Sequence, residues 1–137
     1  MMKLDTEEVQ RVTREMNRYL EDTTIEELMM IRRKRFFYEV RLSETQCRQE
    51  IMTLDLSPRA YNCLRRAGIN TIGQLLDGFH DTGEQSSKSR LLQLRNLGKG
   101  TAEEILMKLF FYQFSVLSEE RRAPYMKRVL EMNVSLL

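Results

Sequence analysis

Three observations predict an all-α fold. Apolar residues recur at helical spacing along most of the chain, no alternating strand pattern appears, and Gly and Pro are scarce, at 6 and 2 of 137 residues. The length allows one small domain with added helices and is enough to bury a real core. With 31 % charged residues and no long apolar run, disorder, collagen-like repeats and membrane spans are excluded.

Val9, Val12, Met16, Tyr19 and Leu20 fall on one stripe, and Asp5-x-x-Glu8 has the spacing of a capping box, so a first helix of about four turns is expected. Thr24-Ile25-Glu26-Glu27 repeats that signature, and Ile25, Leu28, Met29, Arg32 and Phe36 continue the period. No Gly or Pro interrupts residues 24 to 57, so one long helix or two shorter ones fit. Ser57-Pro58 is the clearest start signal: the Ser hydroxyl takes an orphan N–H, and Pro at the first helical position loses no hydrogen bond. Gly68 is the matching stop, giving a helix over Pro58 to Ala67. A short helical turn over residues 71–76 is expected to end near Gly78, followed by a polar, mobile loop at 78–89 and a short helix over Arg90 to Arg95.

Asn96-Leu97-Gly98-Lys99-Gly100 reads as a tight turn, with Thr101-x-x-Glu104 opening the next helix. That helix has two apolar faces. Ala102, Ile105, Leu106 and Leu109 make the first, and Met107, Phe110, Phe111 and Phe114 make the second, which needs a cover from the terminal extensions or from another subunit. Residues 118 to 133, with Pro124 among them, read as a weaker final helix.

Chemistry is limited by composition. Cys47, Cys63 and the single His80 lie too far apart for a zinc site, and buried free thiols are expected. No metal, cofactor or catalytic residue is predicted: Gly98-Lys99-Gly100-Thr101 lacks the spacing and preceding strand of a nucleotide-binding loop, and neither Cys63 nor His80 has an orienting partner. The start of the sequence, acidic within eight residues, has no secretory leader, which predicts a cytoplasmic protein. Arg32-Arg33-Lys34-Arg35 is a basic run, but nearby Glu26, Glu27 and Glu39 suit a salt-bridged face.

The candidate site is a glycine turn and one helix face. The Leu97-Gly98-Lys99 turn suits a helix-hairpin-helix, whose backbone approaches a phosphate while the following helix offers its N–H groups; an ordinary corner between two helices is the plainer alternative. Arg59, Asn62 and Arg66 share one face of the Pro58 helix, a set suited to phosphate and base-edge hydrogen bonds or simply to solvent. Residues 51–110 carry 8 basic and 6 acidic residues, a small excess that does not itself predict nucleic-acid binding.

Leu54-Asp55-Leu56-Ser57-Pro58-Arg59-Ala60-Tyr61-Asn62-Cys63-Leu64 through Leu75, followed by Asn96-Leu97-Gly98-Lys99-Gly100-Thr101, resembles the C-terminal domain of the bacterial RNA polymerase alpha subunit over about residues 54–109. The resemblance implies a helix-hairpin-helix-like core that inserts Arg59 and Asn62 into the minor groove of A+T-rich DNA. It places further contacts at Asn96, Gly98 and Thr101, the last standing where the family usually has Ser. Arg66 and Lys99 complete the candidate DNA-binding set. Gly100 stands where the family usually has a second basic residue, which removes one phosphate contact. In the family, acidic residues just before the arginine helix help to meet sigma factor; Asp55 occupies part of that site and Thr53, which is not acidic, another part, a departure that weakens that contact.

The long assembly domain of the alpha subunit is not in this sequence, so a free-standing module is expected, with an N-terminal helical extension at 1–52, the family domain at 53–112 and a C-terminal helical extension at 113–137. The leading expectation is a non-enzymatic DNA-binding transcription module. The alternative is a protein-interaction module docking on RNA polymerase, sigma factor or a regulator, with a homodimer through the second aromatic face as a further option.

Overall fold

The computed structural model describes residues 7–31, 36–77, 91, 94 and 97–134. Helices α1 (Glu7–Asn17), α2 (Ile25–Ile31), α3 (Glu44–Cys47), α4 (Pro58–Arg66), α5 (Ile72–Leu76), α6 (Lys99–Ser115) and α7 (Glu119–Val134) follow one another, with a 3-10 turn at Ile51–Leu54 between α3 and α4. No strand occurs among the described residues, and the fold is all-α. Asp5, the basic run Arg32 to Arg35, the 78–89 loop with His80, most of the expected Arg90–Arg95 helix, and Asn96 lie outside the described residues.

The polypeptide divides into two units. The first spans Arg41–Leu109. Its α3 is closed by a reciprocal cap, in which Ser43 Oγ accepts from Gln46 N and Gln46 Oε1 accepts from Ser43 N. A single bridge, Ile51 N to Asn70 O at 3.0 Å and Ile72 N to Gln49 O at 2.9 Å, draws the 3-10 turn to the start of α5. Thr71 caps α5 with Gln74 as its reciprocal partner. Gly73 fits closely here, since a Cβ would stand 3.0 Å from the Cys47 carbonyl. Ile51, Leu54, Ala60, Cys63, Leu64, Ile72, Leu75, Leu97, Ala102, Ile105 and Leu109 are buried and form the core.

Helix α4 begins and ends where its signals predict. Ser57 Oγ accepts from Ala60 N, Pro58 takes the first position, and Gly68 adopts φ +81° so that the Ile69 N–H reaches the Leu64 carbonyl at 2.9 Å. A side chain at Gly68 would be strained whatever the space around it.

The second unit combines Lys3–Val40 with Phe110–Leu137. The first helix is shorter than the stripe predicts. After Asn17 the N–H groups of Arg18, Tyr19 and Leu20 bond to carbonyls three residues back, which tightens the last turn. Asn17 ends α1 and caps the next helix: its Oδ1 accepts from Ile25 N at 2.7 Å and its Nδ2 donates to Glu26. Thr24 Oγ1 accepts from Glu27 N, as the sequence signature predicts. Between residues 24 and 57 there is no long helix among the described residues; α2 and α3 are short, and residues 36–43 form neither helix nor strand.

The 36–40 stretch is held by side groups of α7. Asn133, fully buried, accepts from Phe37 N and donates to Phe37 O, so one side chain stands in for a strand partner. Tyr125 donates its hydroxyl hydrogen to Glu39 O at 2.7 Å, and Arg128 pairs with the Glu39 carboxylate at 3.0 Å. Of the two covers open to the second face of α6, the terminal extensions are the one found. Phe110 packs on Phe36, Tyr38 and Tyr125, and Phe114 meets Tyr19 edge-on, with Arg122 over its ring. Phe110 and Phe114 are at most 1 % exposed, so they offer no surface for the second subunit that this face raised as an option.

Candidate nucleic-acid interface

Helix α4 separates its residues cleanly. Ala60, Cys63 and Leu64 are buried, while Arg59, Asn62 and Arg66 are exposed on the other side. Their side groups make no hydrogen bond or ion pair within the described residues. Arg65 behaves differently: it donates to Tyr61 Oη at 2.7 Å and stacks on that ring, so it is a less available cation. Tyr61 is half-buried.

The glycine turn leads directly into α6. Gly98 O accepts from Ala102 N at 3.0 Å, which makes Gly98 the cap and starts the helix at Lys99, three residues before the start that a Thr101-x-x-Glu104 capping box predicts. Gly98, Lys99 and Gly100 are exposed and Thr101 is half-buried. Neither Gly98 nor Gly100 has a left-handed φ, and a Cβ at either would meet nothing within 4 Å. The fold thus demands Gly68 and favours Gly73, whereas it leaves room for a side chain at Gly98 and Gly100.

Glu104 does not reach back to Thr101. It crosses instead to Ser57, accepting from Ser57 N at 2.6 Å and from Ser57 Oγ at 2.8 Å. A carboxylate at the N-terminus of α4 satisfies orphan donors and favours the helix dipole. The same pair joins the start of the arginine helix to α6, with Lys99 only about 7.5 Å back along the helix axis. Arg59 follows Ser57 by two residues, and Gly98 precedes Glu104 by six. Asn62 and Arg66 follow along α4, about 4.5 Å and 10.5 Å beyond Arg59.

Removing the Glu104 brace is expected to destabilise the protein. Glu104→Ala leaves two Ser57 donors without their charged acceptor, at a cost of about 1.5–3 kcal/mol in denaturant unfolding. A loss under about 0.5 kcal/mol contradicts the brace.

A Lys108 to Asp55 contact at 3.3 Å adds a second tie, from α6 to the residue that ends the 3-10 turn in a left-handed conformation, φ 56°. No group of His, Cys, Asp and Glu among the described residues is arranged to hold a metal ion. No described helix is long and apolar enough to cross a membrane. Sequence reasoning missed the role of Glu104 because its three-residue spacing from Thr101 imitates a local cap.

Residues 39–110 match the family of the C-terminal domain of the bacterial RNA polymerase alpha subunit. The DNA-directed RNA polymerase subunit alpha of Carboxydothermus hydrogenoformans is 44 % identical over 70 residues, covering 51 % of this protein and 20 % of that subunit. Its counterpart in Moorella thermoacetica is 46 % identical over the same length and shares. That of Desulforudis audaxviator is 46 % identical over 59 residues, 43 % of this protein and 16 % of the relative. The match thus spans about a fifth of these relatives' length. No solved structure gives a significant match.

Proposed function

This protein belongs to the family of the C-terminal domain of the bacterial RNA polymerase alpha subunit, and we propose that it is a non-enzymatic DNA-binding module acting in transcription in the cytoplasm. Arg59 enters the minor groove of A+T-rich duplex, where the narrow groove concentrates negative potential, and Asn62 hydrogen-bonds beside it. Arg66, Asn96, Lys99 and Thr101 hold flanking backbone or base edges, and Gly98 brings the α6 N-terminus against a phosphate.

The observation that carries this reading is the contrast among glycines. A side chain is strained at Gly68 and tight against the Cys47 carbonyl at Gly73, whereas Gly98 stands in open space beside the exposed Lys99, where absence of a Cβ leaves room for something approaching from outside. The contrast is measurable. Gly68→Ala lowers stability by about 1–2 kcal/mol, the left-handed penalty, and leaves duplex affinity unchanged. Gly98→Ala costs less than about 1 kcal/mol of stability and weakens duplex binding several-fold. Equal affinity for the two variants argues against the phosphate role. The direct test of the whole reading is equilibrium binding to an A+T-rich duplex over a salt series; absence of binding at low salt excludes it.

A second reading is docking on RNA polymerase, sigma factor or a regulator. It is favoured by Met52, 61 % exposed on the 3-10 turn, with exposed Thr53 and Asp55 close by. An exposed methionine suits a protein surface better than a phosphate. Polymerase that co-purifies with the tagged protein, unaffected by Arg59→Ala but lost on Met52→Glu, is the result this reading requires.

A further inference from the structure

The second unit carries a charge arrangement that the reading above does not use. At about 100° per residue, Arg11, Arg14 and Arg18 fall within about 60° of one another on α1 and the turn that follows it, opposite the buried Val9, Val12 and Met16. All three are exposed. Glu8 and Glu15 lie together on one flank, pairing with Arg11 at 2.6 Å and Arg18 at 3.6 Å, and Glu15 also turns toward Arg122 of α7 at 3.9 Å. Glu7 shares the arginines' side, but in the first turn, where a carboxylate favours the helix dipole.

Arg14 has no carboxylate partner among the described residues, and its neighbours at three and four positions are Arg11 and Arg18 together with the neutral Gln10 and Asn17. Like charges at those spacings weaken a helix, which works against the favourable place of Arg14 in the last turn, where a cation suits the helix dipole. An anion lying along the row reverses the sign of that interaction.

We infer that this face of α1 is a second contact for nucleic acid, binding the phosphate backbone without reading sequence. Guanidinium groups pair with phosphate oxygens in bidentate geometry. The row extends about 10.5 Å, close to the axial length of three base pairs, which suits a regular polyanion. Exposed ion pairs such as Arg11 with Glu8 are weak enough to be exchanged for phosphate. The inference takes its ligand from the duplex-binding reading.

The experiment is a salt titration of duplex binding by the unaltered 137-residue protein, its Arg14→Gln variant, the triple variant Arg11→Gln, Arg14→Gln, Arg18→Gln, and Arg59→Ala, on A+T-rich and G+C-rich duplexes. Arg14→Gln is expected to weaken both duplexes by the same several-fold factor and to reduce the slope of log K against log salt by about 1. The triple variant reduces the slope by about 2–3 with unchanged helical circular dichroism. If both glutamine variants keep the wild-type slope and affinity while Arg59→Ala loses binding, the row is a solvated face, and the inference falls while the duplex reading stands. If the wild type binds no duplex, both fall. Poly-glutamate that binds the wild type and not the triple variant, with duplex binding equal for the two, assigns the row to an acidic protein and also overturns the inference.

Discussion

Arg59→Ala is expected to lower affinity for an A+T-rich duplex by about 1–3 kcal/mol, on the order of 5- to 150-fold. The size follows from where the side chain stands. Arg59 is in the first turn of α4, a helix fixed by the Ser57 cap, Pro58 and the Glu104 brace, so its backbone is ordered before DNA arrives. Its guanidinium makes no internal ion pair to give up among the described residues. Binding therefore exchanges solvated charge for a groove of concentrated negative potential at little reorganisation cost. For the same reason the substitution leaves the fold alone, and stability should change by no more than about 0.5 kcal/mol. The loss should be larger on A+T-rich than on G+C-rich duplex, since minor-groove width and potential differ between them. Uniform loss on both would demote Arg59 to a phosphate contact.

Phe110→Ala should produce the largest loss of stability, about 3–5 kcal/mol. The ring is fully buried, with centroids of Tyr38 at 4.9 Å, Phe36 at 5.2 Å, Phe111 at 6.0 Å and Tyr125 at 6.4 Å. Truncation removes a large apolar surface and leaves a cavity at the point where the 36–40 stretch, α6 and α7 meet. Neighbours cannot close in readily, because that stretch is pinned by Asn133 and Tyr125. A loss this large is a substantial part of the roughly 5–15 kcal/mol that holds a domain of ordinary stability. Denaturant unfolding followed by far-ultraviolet circular dichroism measures it; a change below about 1 kcal/mol means that the aromatic cluster is not the core of this unit.

What is legible in the sequence is what is local. Ser57-Pro58 and Gly68 delimit α4 within one residue, since a cap, a preset φ and a left-handed stop act inside a few bonds. The exposed face of α4 is equally legible from its spacing. The second aromatic face of α6 announces that it needs a cover, but not which one, because Phe36 and Tyr38 approach Phe110 from far along the sequence. Phe36 continues the helical period in the sequence, but the stretch that follows is held outside any helix by a side chain 96 residues away, which no local pattern reveals. Glu104 resembles a local cap for the same reason: its partner Ser57 is 47 residues distant. The DNA-contact roles draw on the resemblance as well as on chemistry, since exposed Arg and Asn alone are common on any surface helix.

The most direct measurement is the equilibrium affinity of the unaltered protein for an A+T-rich and a G+C-rich duplex of equal length across a salt series. The duplex-binding account predicts tighter binding to the A+T-rich duplex and a steep, linear fall of log K with log salt, the signature of released counterions. Affinities that are equal for the two duplexes, or binding that is indifferent to salt, contradict it.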